Sequence, residues 1–121
     1  KCKIILITTI YSRFGRSRRF LYSVTKHALL GVMRNIAVEL GPKGITINAI
    51  SPGYVDTKMT RKNLNTKQIE FLKSRTPLQK ILKPKDIAVV VKALLGNEIT
   101  SISGQEIIVD GGITVNGSFG L

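Results

Sequence analysis

Three features of this sequence predict an α/β fold with a parallel sheet. Short apolar runs rich in Ile and Val recur at Ile4 to Ile7, Ile45 to Ile50 and Glu106 to Val109, and such runs read as strands buried on both faces. Segments of helical periodicity, closed by glycine or proline, lie between them. The resulting order of strand, helix, strand, helix, strand belongs to sheets wound with right-handed crossovers.

Taken in order, the first strand is followed by a helix from about Tyr22 to Leu40, where Leu29, Met33, Ile36, Ala37 and Leu40 form an apolar stripe. Gly41-Pro42-Lys43-Gly44 terminates it. After the second strand, a short polar helix is expected over Thr66 to Ser74. Another runs from about Pro84 to Leu95, with Pro84 in its first turn, Asp86 at the positive end of the dipole and Gly96 as the stop.

The 121 residues include 19 Lys and Arg against 7 Asp and Glu, one His, one Cys and no Trp. This length fits at most one domain. Hydrophobic residues make up 43% and charged residues 21%, which excludes a disordered basic tail. No apolar run approaches the roughly 18 residues of a membrane span, and no signal peptide is visible. The lone Cys2 cannot form an internal disulfide, which points to a reducing, cytoplasmic setting and against a thiolate metal site; it reads as a buried strand residue. Charge is uneven: residues 1–43 carry nine bases and one acid, residues 44–85 nine and two, residues 86–121 one and four. The chain begins with Lys, so it is expected to be a piece of something longer.

Ligands of parallel sheets bind beyond the carboxyl ends of the strands, so Thr8 to Tyr22, Ser51 to Thr60 and the segment from Asp110 onward should carry any chemistry. Tyr22 and Lys26 stand four apart at the start of the first helix, on one face. An ammonium beside a phenol favours the phenolate, as proton transfer requires. Alone, Tyr-x-x-x-Lys at helical spacing occurs by chance in many proteins. Here it stands with Thr9 at the end of the first strand, Ser51-Pro52-Gly53-Tyr54-Val55-Asp56-Thr57 after the second, and Ser103-Gly104-Gln105 leading to Val109-Asp110-Gly111-Gly112.

In these blocks, and in Tyr22-Ser23-Val24-Thr25-Lys26-His27-Ala28 and Gly44-Ile45-Thr46-Ile47-Asn48-Ala49-Ile50-Ser51-Pro52-Gly53, the chain resembles the short-chain dehydrogenase/reductase family, most closely its 3-oxoacyl-acyl-carrier-protein reductase-like branch. The resemblance covers nearly the whole chain. It implies a Rossmann-type doubly wound sheet, here only its C-terminal half, with residues 1–121 as a single partial domain. It also implies hydride transfer between NAD or NADP and a carbonyl or alcohol carbon. In that reading Tyr22 is the general acid and base, and Lys26 supports it and bonds the nicotinamide ribose. Thr9 takes the place of the family's serine, keeping the hydroxyl but with a stiffer χ1. Pro52 and Gly53 would form the floor under the nicotinamide; the Val55 backbone and Thr57 hydroxyl would meet the carboxamide or phosphate. A homo-oligomer is implied for the full-length chain.

The glycine-rich turn that seats a pyrophosphate on a helix N-terminus is absent from these residues, so NAD and NADP are not distinguished. A truncated, inactive relative that acts by association stays open as an alternative. Arg13-Phe14-Gly15-Arg16-Ser17-Arg18-Arg19-Phe20 reads as a solvated loop, as cations steering an anionic substrate such as an acyl thioester, or, least favoured, as a nucleic-acid contact. Residues Thr57 to Arg75 fall where the family has its substrate-covering segment, and they are basic here. His27 reads as a core-edge histidine.

Overall fold

A computed structural model describes residues 2–116. Its sheet has three parallel strands in the order β1 (Lys3–Ile7), β2 (Thr46–Pro52) and β3 (Glu106–Val109). The helices are α1 (Phe20–Leu40), α2 (Lys58–Asn63), α3 (Thr66–Arg75) and α4 (Pro84–Leu95). The register pairs Ile4 with Ile47, Leu6 with Ala49, and Ala49 with Glu106.

Because side chains alternate along a strand, this register puts Ile4, Leu6, Ile47 and Ala49 on one face. Leu30 and Met33 of α1 cover them, with Ile36 and Ala37 alongside. The opposite face carries Lys3, whose ammonium donates to the Leu94 carbonyl at 3.2 Å and to those of Gly96 and Ile99. This one side chain therefore caps the C-terminal end of α4, where a cation is favoured. Asn48, buried in β2, donates to Ile102 O (2.9 Å) and accepts from Gln105 N (3.0 Å). That amide fixes the loop leading into β3.

The expected terminator is a 3₁₀ turn over Gly41–Lys43, closed by Gly44 at φ 72, a left-handed conformation that favours glycine. The start of α4 matches expectation, with Pro84 in its first turn and the Asp86 carboxylate accepting from Lys83 N at 2.7 Å. Two readings are corrected. Cys2 is exposed and precedes β1. His27 is also exposed, at the rim of the Leu30 and Met33 face, with its ring turned back along α1 so that Nδ1 lies 2.8 Å from Ser23 O. Among the described residues no helix is long and apolar enough to cross a membrane.

Candidate active site

The parallel sheet delivers the segments after β1, β2 and β3 to one edge. Beyond β1, Thr8 bonds back to β2, its Oγ1 3.0 Å from Ile50 O and 2.5 Å from Ser51 Oγ. Thr9 follows in extended conformation and caps a 3₁₀ turn over Ile10–Ser12. It is 7% exposed, and its hydroxyl oxygen accepts one long bond from Tyr11 N, at 3.4 Å.

Tyr22 lies in the first turn of α1 and is 41% exposed, with no hydrogen bond to its hydroxyl among the described residues. One turn on, Lys26 Nζ donates to Ile7 O at 2.8 Å. This bond docks the start of α1 against the strand end that leads to Thr9. Thr9, Tyr22 and Lys26 thus share one corner of the molecule, although no hydrogen bond among the described residues joins them directly.

Sequence reasoning missed two tyrosines here. Tyr11 is buried, its hydroxyl bonded to that of Tyr54, the rings edge to face with centroids 6.4 Å apart. The bond ties the segment after β1 to the segment after β2. The Arg16 guanidinium lies over the Tyr11 ring, 4.8 Å from its centroid. Burial, followed by the Tyr54 hydroxyl and its charge, pushes the Tyr11 phenol far above its ordinary range; Arg16 pulls the other way, and Tyr22 adds a smaller upward push. Tyr11 therefore stays protonated at neutral pH, suited to donating a hydrogen bond and not to accepting a proton. Only the aromatic content of Ile10-Tyr11 and Gly53-Tyr54 could have signalled the pair.

Pro52 ends β2, and Gly53 N donates to Val109 O at 2.9 Å. A Cβ on Gly53 would stand 2.9 Å from both Cα and Cβ of Asp110. Glycine is thus required by the approach of the protein's own backbone, whatever binds nearby. Val55 forms a parallel bridge with Leu82 through Asp56 N and Tyr54 O, which turns the N–H and C=O of Val55 to the other side. The carbonyl accepts from Thr60 Oγ1 at 2.6 Å. Thr57 caps α2, its Oγ1 accepting from Thr60 N at 3.2 Å.

These residues fit the nicotinamide end of a dinucleotide: a side-chain-free Gly53 beside the half-buried Pro52, a Val55 N–H turned away from the bridge, and the Lys26 ammonium at the strand end. The fit stops there, since residues 2–116 hold no glycine-rich phosphate turn. Residues Thr57 to Arg75 fold into α2 and α3 and wall a cavity of about 880 Å³ with the 79–83 loop. Arg61, Lys73, Lys80 and Lys83 line it, and Thr9, Tyr22 and Lys26 do not.

The basic run is partly consumed within the fold. Arg13 Nε donates to Glu106 Oε2 at 2.6 Å, and Arg16 covers Tyr11. Glu106 also accepts from Ser51 (2.5 Å) and Ser12 (3.0 Å). Burial raises the pKa of this carboxyl, but the hydrogen bonds from Ser51, Arg13 and Ser12 with the Arg13 charge outweigh it and hold it below the ordinary carboxylate range.

Residues 1–114 match the family model described as enoyl-(acyl carrier protein) reductase. A 3-oxoacyl-acyl-carrier-protein reductase of Buchnera aphidicola is 38% identical over 111 residues, covering 92% of this chain and 45% of the relative. An L-rhamnose 1-dehydrogenase (NADP(+)) of Thermoplasma acidophilum is 32% identical over 115 residues, covering 94% and 45%. Among solved structures, a 4-hydroxyisoleucine dehydrogenase mutant complexed with NADH and succinate superposes with a TM-score of 0.88 at 30% identity, over 93% of this chain and 47% of that one. ElxO with NADP bound gives 0.83 at 31% identity, over 93% and 46%. The chain therefore spans about half the length of the relatives it matches. Its parallel sheet, with helices on both faces, is a part of their Rossmann-type fold. Motif order, sheet topology and family match agree, and the chain belongs to the short-chain dehydrogenase/reductase family.

Proposed function

We propose that residues 1–121 form one partial domain, the C-terminal catalytic part of an NAD(P)-dependent oxidoreductase acting on a carbonyl or alcohol carbon. The observation that carries this reading is the Lys26 to Ile7 bond, which docks the Tyr22 and Lys26 face of α1 beside the strand end bearing Thr9. In the reducing direction the Tyr22 hydroxyl gives its proton to the carbonyl oxygen, and Lys26 stabilises the negative charge that develops on the phenolic oxygen. Thr9 donates a hydrogen bond that orients the substrate oxygen. Pro52, Gly53, the Val55 N–H and Thr57, with Tyr22 and Lys26, form the cofactor-facing set. When bound, the nicotinamide supplies or accepts the hydride. The names of the relatives and the cofactors in the solved structures include both NAD and NADP, so either fits.

An acyl thioester is the substrate class favoured by the 3-oxoacyl reductase relative and by the basic mouth around Arg16, Arg18 and Arg19. A nucleic-acid partner is disfavoured because Arg13 and Arg16 already have partners within the fold. A homo-oligomer in the cytoplasm is the setting that suits this reading. The second reading, a non-catalytic relative acting by association, is favoured by the exposed Phe20, Leu21 and Val24 at the start of α1.

Tyr22→Phe separates the two. Assayed in a full-length context with NADH and NADPH against an acetoacetyl thioester, the variant should lose about 100-fold or more in turnover while calorimetric cofactor binding persists. Unchanged turnover removes Tyr22 from its role, and absence of turnover in both proteins favours the associative reading.

A further inference from the structure

Glu106 breaks the apolar pattern of β3. Its side chain is 5% exposed, and its register opposite Ala49 puts it on the α1 face, beneath the turn that follows β1. An ionised carboxylate costs free energy to bury even when paired, and an apolar residue would serve a strand better. Violations of this kind concentrate where a site must be held in place.

Its bonds lead to one turn. Oε2 accepts from Arg13 Nε, while Oε1 accepts from Ser12 and Ser51, the latter 2.5 Å from Thr8 Oγ1. Ser12 N donates to Thr9 O at 2.8 Å, and Ser12 Oγ lies 2.5 Å from the same oxygen. The Ser12 hydroxyl has one proton, and its two nearest acceptors, the Thr9 carbonyl and Glu106, share it. Among the described residues, the Thr9 hydroxyl itself is held only by the 3.4 Å contact to Tyr11 N. What is firmly held is its backbone, and a β-branched side chain follows its backbone closely because χ1 is stiff.

We propose that Glu106 is a positioning residue for Thr9, clamping the Ile10–Ser12 turn to β3 through Ser12 and Arg13 and so fixing where the Thr9 hydroxyl stands relative to Tyr22 and Lys26. The inference rests on the oxidoreductase reading for its consequence, and on the Ser12, Arg13 and Glu106 contacts alone for its geometry.

The test uses the full-length protein bearing Glu106→Ala or Glu106→Gln, with Tyr22→Phe as the control for the functional reading, below the melting temperature of each variant. Turnover is measured with NADH and NADPH and an acetoacetyl thioester, and amide hydrogen exchange is followed at Ser12 and Arg13. Glu106→Ala should lower kcat by about tenfold to a hundredfold, the scale of an ångström-level displacement, with KM for the nucleotide little changed. Glu106→Gln should recover part of the loss, because its amide can donate to both serines while its oxygen accepts from Arg13. Exchange at Ser12 and Arg13 should quicken about tenfold in Glu106→Ala, with the Leu30 and Met33 turn of α1 unaffected. Wild-type kcat in Glu106→Ala, or wild-type exchange at both amides, overturns the proposal. If Glu106→Ala does not fold, Ser12→Ala decides, since it removes the hydroxyl that joins Glu106 to the Thr9 carbonyl: faster exchange at residues 12 and 13 than in wild type supports the clamp and unchanged exchange overturns it. If wild type shows no Tyr22-dependent turnover, the oxidoreductase reading is what fails, and the exchange result alone decides whether Glu106 holds the turn.

Discussion

Gly53→Ala tests whether that glycine serves the fold or only a ligand. An added Cβ would lie 2.9 Å from two carbons of Asp110, against an ordinary carbon to carbon separation of about 3.5 to 4.0 Å. One of those carbons is backbone, and the residue is pinned: the Asp110 carboxylate accepts from Gly112 N at 2.8 Å and from Thr114 N at 2.9 Å. Overpacking against a part that cannot swing away costs about 1 to 3 kcal/mol. Losing a glycine from the unfolded chain returns about 0.4 to 1 kcal/mol, a gain that any Gly→Ala variant shares, so against such a control the steric cost of about 1 to 3 kcal/mol stands whole. For a chain of this size that lowers the melting temperature by about 4 to 12 °C relative to the control. Circular dichroism melts of Gly53→Ala beside Gly15→Ala, where nothing lies within 4 Å of the added Cβ, measure the difference. Equal melting temperatures would refute the steric argument, and weakened cofactor binding at an unchanged melting temperature would assign Gly53 to the ligand instead.

Lys3→Met keeps the aliphatic stem but leaves the Leu94 and Gly96 carbonyls at the end of α4 and the Ile99 carbonyl beyond it without this donor; a loss of about 1 to 3 kcal/mol is expected in urea unfolding. Gly31 lies inside α1 with open space at its missing Cβ, so Gly31→Ala should stabilise by about 0.5 to 1 kcal/mol, read as a higher urea midpoint. The folded-state pKa of Glu106 is depressed, so its contribution is complete above the unfolded carboxylate range and is lost as pH falls through the lowered value. Chemical denaturation across a pH series should show that component of the acid slope in wild type and not in Glu106→Gln.

What the sequence revealed was whatever depends on neighbours along the chain. The three Ile and Val runs, the Gly41 to Gly44 terminator and the Pro84 to Leu95 helix all carry their own periodicity or punctuation, and they stand close to where they were expected. The start of α1 shifted from Tyr22 to Phe20 because Arg19 offers no side-chain cap and Phe20 and Leu21 are exposed, so neither capping nor patterning marks the boundary. The six residues of α2 were missed because Lys-Met-Thr-Arg-Lys-Asn has no apolar stripe; its only signal is the Thr57 cap. For α3 the Asn65 and Gln68 capping box was a readable cue. The Glu106 cluster lay beyond reading, since Ser12, Ser51 and Glu106 meet only through the β2 and β3 register. A lone Glu at the head of an apolar strand was its one trace.

The exposed apolar surface leads to a last prediction, about association. β1 is an edge strand in the order β1-β2-β3, and Ile7 at its end is 45% exposed. Phe20 and Leu21 on α1 are 78% and 76% exposed, and Val24 stands half exposed on the following turn. Open edges beside apolar side chains are templates for pairing with another chain. Covering a large apolar side chain is worth about 1.5 to 3 kcal/mol, so burying Phe20 and Leu21 alone offers about 3 to 6 kcal/mol. Entropic costs of association run to about 4 to 15 kcal/mol, a range that this gain meets at its lower end, so the association is weak and the strand edge with Val24 and Ile7 adds to it. The 121-residue chain should therefore sediment as a concentration-dependent mixture at micromolar protein, and Phe20→Ser with Leu21→Ser should shift it toward monomer. A double variant that sediments like the parent would show that the open edge of β1 acts without the α1 surface, and a parent that stays monomeric at high concentration would refute the association argument altogether.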